Sequence, residues 1–309
     1  MKTITPPATC SETVHDGPVL LEKSGYSVID CAACGFIHCL PLPALDVLRR
    51  EYETEYYASV NPEYISRVEQ DRGWHETTHE GRLDVLESLT DGRRLLEIGS
   101  GPGLFLECAR RRGWDVLGLE PSRQAFAHAS QVLHLPVRNE FFTVESAASL
   151  GMFDAVYLGL VLEHVPDPAG LLAQVKNVLE PGGVLCVAVP NDFSPLQRYL
   201  VEERAFPAWW AVPPHHINYF THASLASLLT RLGYGVVERT ATFPMELFLL
   251  MGLDYTEDEV LGRRCHALRM RFEKELRDAG LDALRRDLYA LLTRHGVGRE
   301  AVVYARNTV

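Results

Sequence analysis

The stretch LLEIGSGPGLFL, residues 95–106, constrains the fold of this 309-residue chain more than any other segment. A short apolar run ends in three alternating glycines, Gly99, Gly101 and Gly103, and a helical pattern follows them. Glycine permits positive φ angles and lets a ligand approach the backbone closely. In open α/β sheets, ligands bind outside the carboxyl ends of the strands, close to helix N-termini. The stretch therefore predicts a strand, a ligand-binding loop and a helix, with a tight turn that binds nothing as the alternative.

Two carboxylates define the ligand that this loop would accept. Glu120 ends the next apolar run, DVLGLE, about 20 residues beyond Gly99, where an acid accepts hydrogen bonds from ribose hydroxyls. The glycine spacing differs from the dinucleotide fingerprint, which has a small residue where Leu104 stands. Glu97 disfavours a pyrophosphate at the helix N-terminus but suits an ammonium group. These residues predict a nucleoside ligand that carries an ammonium group, in preference to NAD.

The chain around this loop alternates between strand and helix patterns. Because the strand patterns are continuous apolar runs, they predict a parallel sheet that helices cover on both faces. The predicted strands are 94–99, 115–120, 135–142, 153–158, 184–189, 235–242 and 300–306, and the predicted helices are 103–113, 122–133, 167–179 and 225–232. Between the last two strands we predict a helical insert, with helices over 258–279 and 284–295.

Composition and charge limit the partners. The formal net charge of −11 disfavours a polyanion, and the Arg/Lys-rich stretch 263–286 is interleaved with acidic residues. No apolar run approaches the length of about 20 residues needed to cross a bilayer. The N-terminus lacks the apolar region of a signal peptide, and the seven cysteines are scattered. We therefore expect a cytoplasmic protein with a small-molecule partner and neither nucleic acid nor membrane.

Four segments together resemble the class I S-adenosylmethionine-dependent methyltransferases: LLEIGSGPG, GLEPS, FDAVYLGLVLEHVPDP and LEPGGVLCVAVPN. They look like the branch that includes the ubiquinone-biosynthesis O-methyltransferases, strongly over 95–191 and more loosely through HHINYFTHASLASLLTRLGYGVVE. The resemblance implies an α/β, Rossmann-like, doubly wound sheet of seven strands whose last pair is an antiparallel hairpin. We divide the chain into an N-terminal segment 1–43, a methyltransferase core 44–242, and 243–309 with the helical insert and the final strand.

The resemblance also implies S-adenosylmethionine as the cofactor. The three glycines and Glu97 would then hold its amino acid part, and Glu120 would hold its ribose. The other cofactor-binding residues that we expect are Asn139 beside the adenine, Arg82 at the carboxylate, Tyr57 in a segment that caps the pocket, and Leu160.

Methyl transfer needs mainly alignment of the reacting atoms, with a base only when the acceptor must lose a proton. Histidine accepts a proton near neutral pH. We rank His164, in VLEHVPDP, and His216, in PPHHINYF, as base candidates ahead of His215, with a structural role as the alternative for each. A divalent cation held by Glu163 and a histidine is a further alternative. The residues predicted to line the acceptor pocket are Glu163, Trp210 and Tyr219.

The N-terminal segment carries a C-x2-C-G knuckle at Cys31 and Cys34, which can present two thiolates to zinc. The segment resembles the N-terminal zinc ribbon of some sugar methyltransferases at CAACGFIHCLPLP and EYETEYY. It departs from them at Thr13, which stands at the place of an expected cysteine. We predict two outcomes: a zinc site formed by Cys10, His15, Cys31 and Cys34, or a metal-free remnant of a ribbon.

The leading functional prediction is methyl transfer to a hydroxyl of a small molecule: a sugar, a nucleotide-sugar or a secondary-metabolite intermediate. The ribbon resemblance favours sugars, whereas the EHVPDP motif favours hydroxylated aromatic or quinone-like acceptors. The alternatives are N- or C-methylation and a non-catalytic module that binds S-adenosylmethionine or a partner. An oxidoreductase that uses a dinucleotide is disfavoured by the glycine spacing. The helical insert could also form a homodimer interface.

Overall fold

The structure is a computed structural model, and it describes residues 14–308. Its strands are β1 (Val19–Lys23), β2 (Tyr26–Cys31), β3 (Phe36–Leu40), β4 (Arg94–Ile98), β5 (Asp115–Leu119), β6 (Val137–Arg138), β7 (Phe153–Gly159), β8 (Leu179–Pro190), β9 (Asn218–Tyr219), β10 (Tyr234–Ala241) and β11 (Glu300–Asn307).

The helices alternate with these strands through most of the chain. They are α1 (Leu45–Arg50), α2 (Tyr64–Gln70), α3 (Arg72–Leu89), α4 (Leu104–Arg111), α5 (Arg123–Ala127), α6 (Val144–Ala148), α7 (Pro168–Val175), α8 (Pro195–Arg204), α9 (His222–Arg231), α10 (Glu246–Leu250), α11 (Glu259–Asp278) and α12 (Asp282–Arg294). Wider π-helical turns cover Glu51–Val60 and His128–Val132, and a short 3-10 helix covers Leu162–His164.

The main sheet has seven strands in the order β10-β11-β8-β7-β4-β5-β6. Strands β4, β5, β6, β7 and β8 run parallel to one another, whereas β11 is antiparallel to both β8 and β10. The predicted Rossmann-like sheet with a final antiparallel hairpin is therefore confirmed.

Helices cover both faces of this sheet, as its apolar strands predict. Successive strand residues point to opposite faces, and the neighbours Leu95 and Leu96 belong to two different buried clusters. Helices α7 and α9 pack on one face, and α3 and α4 pack on the other. Each fully buried aliphatic side chain stabilises the fold by about 1.5–3 kcal/mol relative to an exposed one.

Two strands differ from their predicted bounds. The strand predicted over 135–142 is reduced to Val137–Arg138, because Pro136 precedes it and the Asn139 side chain binds the carbonyl oxygens of Glu120 and Pro121 at its end. Strand β8 begins at Leu179, where we predicted the end of a helix, and it includes the glycine pair that precedes the predicted strand 184–189. Gly182 has a φ of +77° there, and the pairing with β7 shifts register between Phe153 and Ala155.

The N-terminal strands β1, β2 and β3 form a second, antiparallel sheet with β9, which lies between α8 and α9. This sheet was not predicted. Its inner face, including Val28, Cys39 and Tyr219, packs against Trp210 of the loop that follows α8. The N-terminal segment therefore covers that loop directly.

The predicted helical insert is present between β10 and β11 as α10, α11 and α12. Helix α11 packs on α3, where Trp74 donates to Glu273 and Arg277 donates to Thr77 over 2.9 Å. A homodimer through this insert stays a prediction. Among residues 14–308, no helix combines the length and apolarity needed to cross a membrane.

Candidate active site

The glycine loop lies between β4 and α4, and its backbone requires glycine. Gly99, Gly101 and Gly103 have φ values of +71°, +51° and +94°, in the region that favours glycine. A Cβ at Gly99 would lie 2.6 Å from a methyl group of Val161, and one at Gly103 would lie 2.7 Å from Leu135. Side chains larger than glycine are therefore disfavoured here, both by the positive φ values and by the close packing of Val161 and Leu135.

Glu120 follows β5 and closes one side of the loop. Its carboxylate accepts hydrogen bonds from the backbone N–H groups of Gly101 (2.7 Å) and Ser122 (2.8 Å). Burial raises the pKa of Glu120 to about 7, and the two backbone donors oppose that rise. Each carboxylate oxygen keeps further acceptor capacity, so the pair of ribose hydroxyls implied by the family fits here. Asn139 lies beside it, bound to the Glu120 carbonyl at 2.8 Å.

Glu97, near the end of β4, lies buried beneath the same loop. Its Oε2 atom has no hydrogen-bond partner among the described residues. Burial, and then the charge of Glu120, raises the pKa of Glu97 well above its usual range. An unpartnered buried carboxyl group is costly. The ammonium group of S-adenosylmethionine would supply the missing donor, so these residues fit that cofactor.

Arg82 and Leu160 are two further residues that we predicted to contact the cofactor near the glycine loop. Arg82, on α3, is buried and donates to the Tyr157 hydroxyl and to Glu300 (2.5 Å). Its positive charge opposes the rise of the Glu97 pKa that burial causes. Leu160 has a φ of +58°, and its side chain is 41% exposed just beyond β7. Contact of either residue with the cofactor stays a prediction.

A cluster of tyrosines reaches the loop through Tyr57. The π-helical segment Glu51–Val60 carries Tyr52, Tyr56 and Tyr57, and the Tyr57 hydroxyl lies 3.5 Å from where a Cβ on Gly101 would stand. The Tyr52 ring centroid lies 5.7 Å from that of Tyr56 and 5.5 Å from that of His164. Sequence reasoning identified Tyr57 in this segment and missed Tyr52, although the EYETEYY pattern was the available signal.

His164 lies in the 3-10 helix that follows β7. The preceding Val161 packs against Gly99, so this turn adjoins the glycine loop. The His164 Nδ1 atom lies 2.6 Å from the His215 carbonyl oxygen and donates to it. Its Nε2 atom is therefore left as an acceptor, 3.7 Å from Oε1 of Glu163. Burial lowers the pKa of His164 to about 4, so the imidazole is neutral at pH 7.

The structure brings His216 to His164 and turns the His215 ring away. The His164 and His216 ring centroids lie 5.1 Å apart, and burial lowers the pKa of His216 to about 3. The His215 ring instead lies 2.9 Å from the Glu51 carboxylate and is half exposed. His215 therefore contributes to this cluster through its carbonyl group, which orients His164.

Buried charges surround the histidine pair. Asp192, after β8, lies 3.9 Å from His216 and 3.7 Å from Arg299, and neither of its carboxylate oxygens has a hydrogen-bond partner among the described residues. Burial raises the pKa of Asp192 to about 7 and that of Glu163 well above its usual range. The ligand atoms of Glu163, His164 and His216 lie within 4.8 Å of one another, so this set could also hold a divalent cation.

Asp192, Arg299 and Asn218 were missed by sequence reasoning. Asn218 joins the two histidine segments, because its side-chain amide donates to the carbonyl groups of Leu162 (2.8 Å) and Val165 (2.7 Å). No motif marks Asp192 or Arg299, whereas Asn218 lies within the segment PPHHINYF. They reach the site from three separate segments: the end of β8, strand β9 and the start of β11.

Trp210 and Tyr219, predicted to contact the acceptor, lie in the packed cluster below the N-terminal sheet. Both rings meet Phe193, at centroid distances of 5.6 and 5.7 Å, and Tyr219 lies 6.3 Å from His216. They support the loop that carries His216. Their direct contact with an acceptor stays a prediction.

The raised carboxyl pKa values predict how stability depends on pH. Glu120 and Asp192 have folded pKa values of about 7, above the usual values near 4. As the pH rises, these two carboxyl groups therefore ionise at a lower pH in the unfolded chain than in the folded protein. Their contribution to the free energy of unfolding is present below about pH 4 and is lost as the pH rises to about 7. We expect Glu120→Gln to flatten the fall in the urea midpoint between pH 5 and pH 7.5 without cofactor. Parallel pH profiles for wild type and variant would contradict this assignment.

Comparison with known proteins now decides the family. A family model described as a methyltransferase domain matches residues 71–239, which is more than half of the chain. The chain belongs to this methyltransferase family. The crystal structure of a SAM-dependent methyltransferase from Archaeoglobus fulgidus has a TM-score of 0.50 at 19% identity, covering 79% of this chain and 99% of that one, and it shares the fold. The predicted membership of the class I S-adenosylmethionine-dependent methyltransferases is confirmed, and S-adenosylmethionine is the methyl donor of that class.

Curated relatives match the methyltransferase over part of its length. The ubiquinone biosynthesis O-methyltransferase of Rhodopseudomonas palustris strain HaA2 is 36% identical over 158 residues, which are 50% of this chain and 62% of the relative. The protein of the same name from Psychrobacter arcticus is 38% identical over 107 residues, 32% of this chain and 42% of the relative. The chain thus spans less than two thirds of each relative.

Proposed function

We propose that this methyltransferase transfers a methyl group to a hydroxyl of a small hydroxylated aromatic acceptor, with His164 as the general base. The observation that carries the proposal is the position of His164. Its turn adjoins the glycine loop, and its Nδ1–H is held by the His215 carbonyl, which leaves Nε2 to accept a proton. The curated relatives are named as O-methyltransferases, which supports oxygen as the accepting atom.

In this proposal the glycine loop and its two carboxylates bind the cofactor. Glu97 accepts from the ammonium group, Glu120 accepts from the ribose hydroxyls, and Asn139 borders the base. When bound, S-adenosylmethionine supplies an activated methyl group. The chain itself aligns the acceptor oxygen and excludes water, for which the tyrosines of the segment Glu51–Val60 form a cover.

The low pKa of His164 favours an acidic hydroxyl. A phenol has a pKa of about 10, as tyrosine does, whereas the pKa of an alcohol is far higher, close to that of water. A neutral imidazole whose own pKa is about 4 is a weak base. It is therefore better matched to a phenol than to a sugar hydroxyl.

The walls around His164 also suit an aromatic ring. Tyr52 and Tyr56 offer ring faces and edges, which prefer stacked or edge-on aromatic neighbours. Asp192 and Arg299 offer polar groups that are incompletely paired. An acceptor that carries several hydroxyl groups on one aromatic ring would pack its ring against the tyrosines and form hydrogen bonds with Asp192 and Arg299.

An acceptor panel tests this assignment against the sugar alternative. We expect transfer of tritiated methyl groups to catechol-type acceptors with kcat/KM at least about tenfold above that for nucleotide-sugars, the lower end of discrimination by a matched pocket. The product is then analysed for the methylated atom. A preference for nucleotide-sugars, or methylation at nitrogen or carbon, would contradict the proposal.

A further inference from the structure

Four metal-ligating side chains meet in the N-terminal sheet, away from the site described above. The ligand atoms of His15, Cys31, Cys34 and His38 all lie within 4.8 Å of one another. Cys31, Cys34 and His38 are buried, and His15 is partly buried. Cys31 is a free cysteine. Two thiols and two imidazoles gathered in this way are a donor set that zinc prefers.

The distances match a tetrahedral zinc site. The Nδ1 atom of His15 lies 3.8 Å from Sγ of Cys31 and 3.6 Å from Sγ of Cys34. With Zn–S bonds of about 2.3 Å and Zn–N bonds of about 2.0 Å, a tetrahedron places sulfur and nitrogen about 3.5 Å apart. The ligands therefore already stand close to their positions in a metal complex.

The orientation of His38 supports the same conclusion. Its Nδ1 atom lies 3.1 Å from the Cys39 carbonyl oxygen and donates to it. Its Nε2 atom is buried and has no hydrogen-bond partner among the described residues. Metal-binding histidines characteristically donate their second ring N–H to a carbonyl or carboxylate, which leaves the other nitrogen for the metal.

The backbone builds this arrangement locally. Gly35, with a φ of +72°, donates its N–H to the Cys31 carbonyl over 2.8 Å and closes the knuckle between β2 and β3. Ala32 donates to the Asp16 carbonyl over 3.1 Å, which fixes the segment that presents His15. His38 then follows Cys34 by four residues, on β3.

We infer that His15, Cys31, Cys34 and His38 bind one structural zinc ion. All four positions are protein ligands, so no site is left for a substrate. The ligand set predicted from the sequence had Cys10 as its fourth member, where the structure has His38. Cys10 lies outside the residues that the structure describes. His38 pairs with Asn218 across β3 and β9, and the Asn218 side chain donates to the Leu162 carbonyl in the turn that carries His164. By fixing His38, the ion therefore also stabilises the position of Asn218 beneath that turn. This inference stands independently of the proposed function.

X-ray absorption spectroscopy on the zinc-loaded wild-type protein tests the ligand set directly. Our set predicts about one zinc per chain with two sulfur and two nitrogen ligands, at distances of about 2.3 and 2.0 Å. The set with Cys10 predicts three sulfurs and one nitrogen. A three-sulfur spectrum would overturn the assignment of His38, and a zinc content near zero after growth and purification with zinc would overturn the site.

Variants provide a second measurement, read as zinc content by mass spectrometry and as melting temperature. We expect His38→Gln and Cys31→Ser to lose the bound zinc and the stabilisation that zinc gives to wild type. Cys39→Ala is the matched control, because Cys39 points to the opposite face and packs with Val28 and Ile37. Retention of zinc by His38→Gln together with its loss in Cys10→Ser would contradict the inference.

Discussion

The variant His164→Asn is expected to lower kcat by about 10²- to 10⁴-fold, the usual contribution of a positioned general base. Asparagine can still donate to the His215 carbonyl, but it lacks the Nε2 atom that accepts the proton. The affinity for S-adenosylmethionine, measured by titration calorimetry, should stay within a few-fold of wild type. The loss should therefore appear in single-turnover methyl transfer to the phenolic acceptor.

Two measurements make this result specific. His215→Ala keeps the backbone carbonyl that orients His164 and removes a ring that lies against Glu51, so its loss in kcat should be below about tenfold. Assays with and without EDTA distinguish a base from a cation held by Glu163, His164 and His216. Full turnover of His164→Asn would contradict its role, and activity that vanishes in EDTA and returns with a divalent ion would assign the cluster to a metal.

The variant Glu97→Gln is expected to weaken S-adenosylmethionine binding by about 10- to 100-fold while it stabilises the cofactor-free protein. A hydrogen bond to a charged group contributes about 1.5–3 kcal/mol, which is the binding energy at stake when the ammonium loses its carboxylate. Without the cofactor, the same carboxyl group is buried and its Oε2 atom is unpartnered, so its pKa is raised. At pH 7 the group is ionised in the unfolded chain and must take up a proton on folding, which lowers the free energy of unfolding. Glutamine does not titrate, so the variant folds without this proton uptake.

The matched control is Glu163→Gln, which changes another buried carboxyl group with a strongly raised pKa. It should also stabilise the cofactor-free protein, but the affinity for S-adenosylmethionine should not change, because Glu163 belongs to the histidine cluster. Calorimetric Kd and urea midpoints at pH 7.5 provide the readouts. Unchanged cofactor affinity in Glu97→Gln would separate Glu97 from the cofactor.

The sheet could be predicted because its information is local. Each buried strand is a continuous apolar run, and the helix starts at Ser122 and Asp167 are marked by side chains that accept from the first turn. The short β6 and the early start of β8 were missed, since an amide side chain and a register shift override the apolar pattern there. The second sheet was missed because β9 lies about 180 residues beyond β3 along the chain.

The site residues likewise divide into those that local sequence patterns predict and those that only contacts between distant segments bring together. The glycine loop and Glu120 lie within one strand–helix–strand unit, so spacing alone placed them together. His164 and His216 were found as separate candidates, and only the fold places their rings 5.1 Å apart. Arg299 directly precedes a predicted strand and His38 follows the C-x2-C-G knuckle, but their partners are set by tertiary contacts.

The central claim is that the glycine loop with Glu97 and Glu120 binds S-adenosylmethionine. Titration calorimetry of the wild-type protein with S-adenosylmethionine and, separately, with NAD tests it most directly. We predict saturable binding of one S-adenosylmethionine per chain and no measurable heat with NAD. Tight binding of NAD, with none of S-adenosylmethionine, would contradict the account.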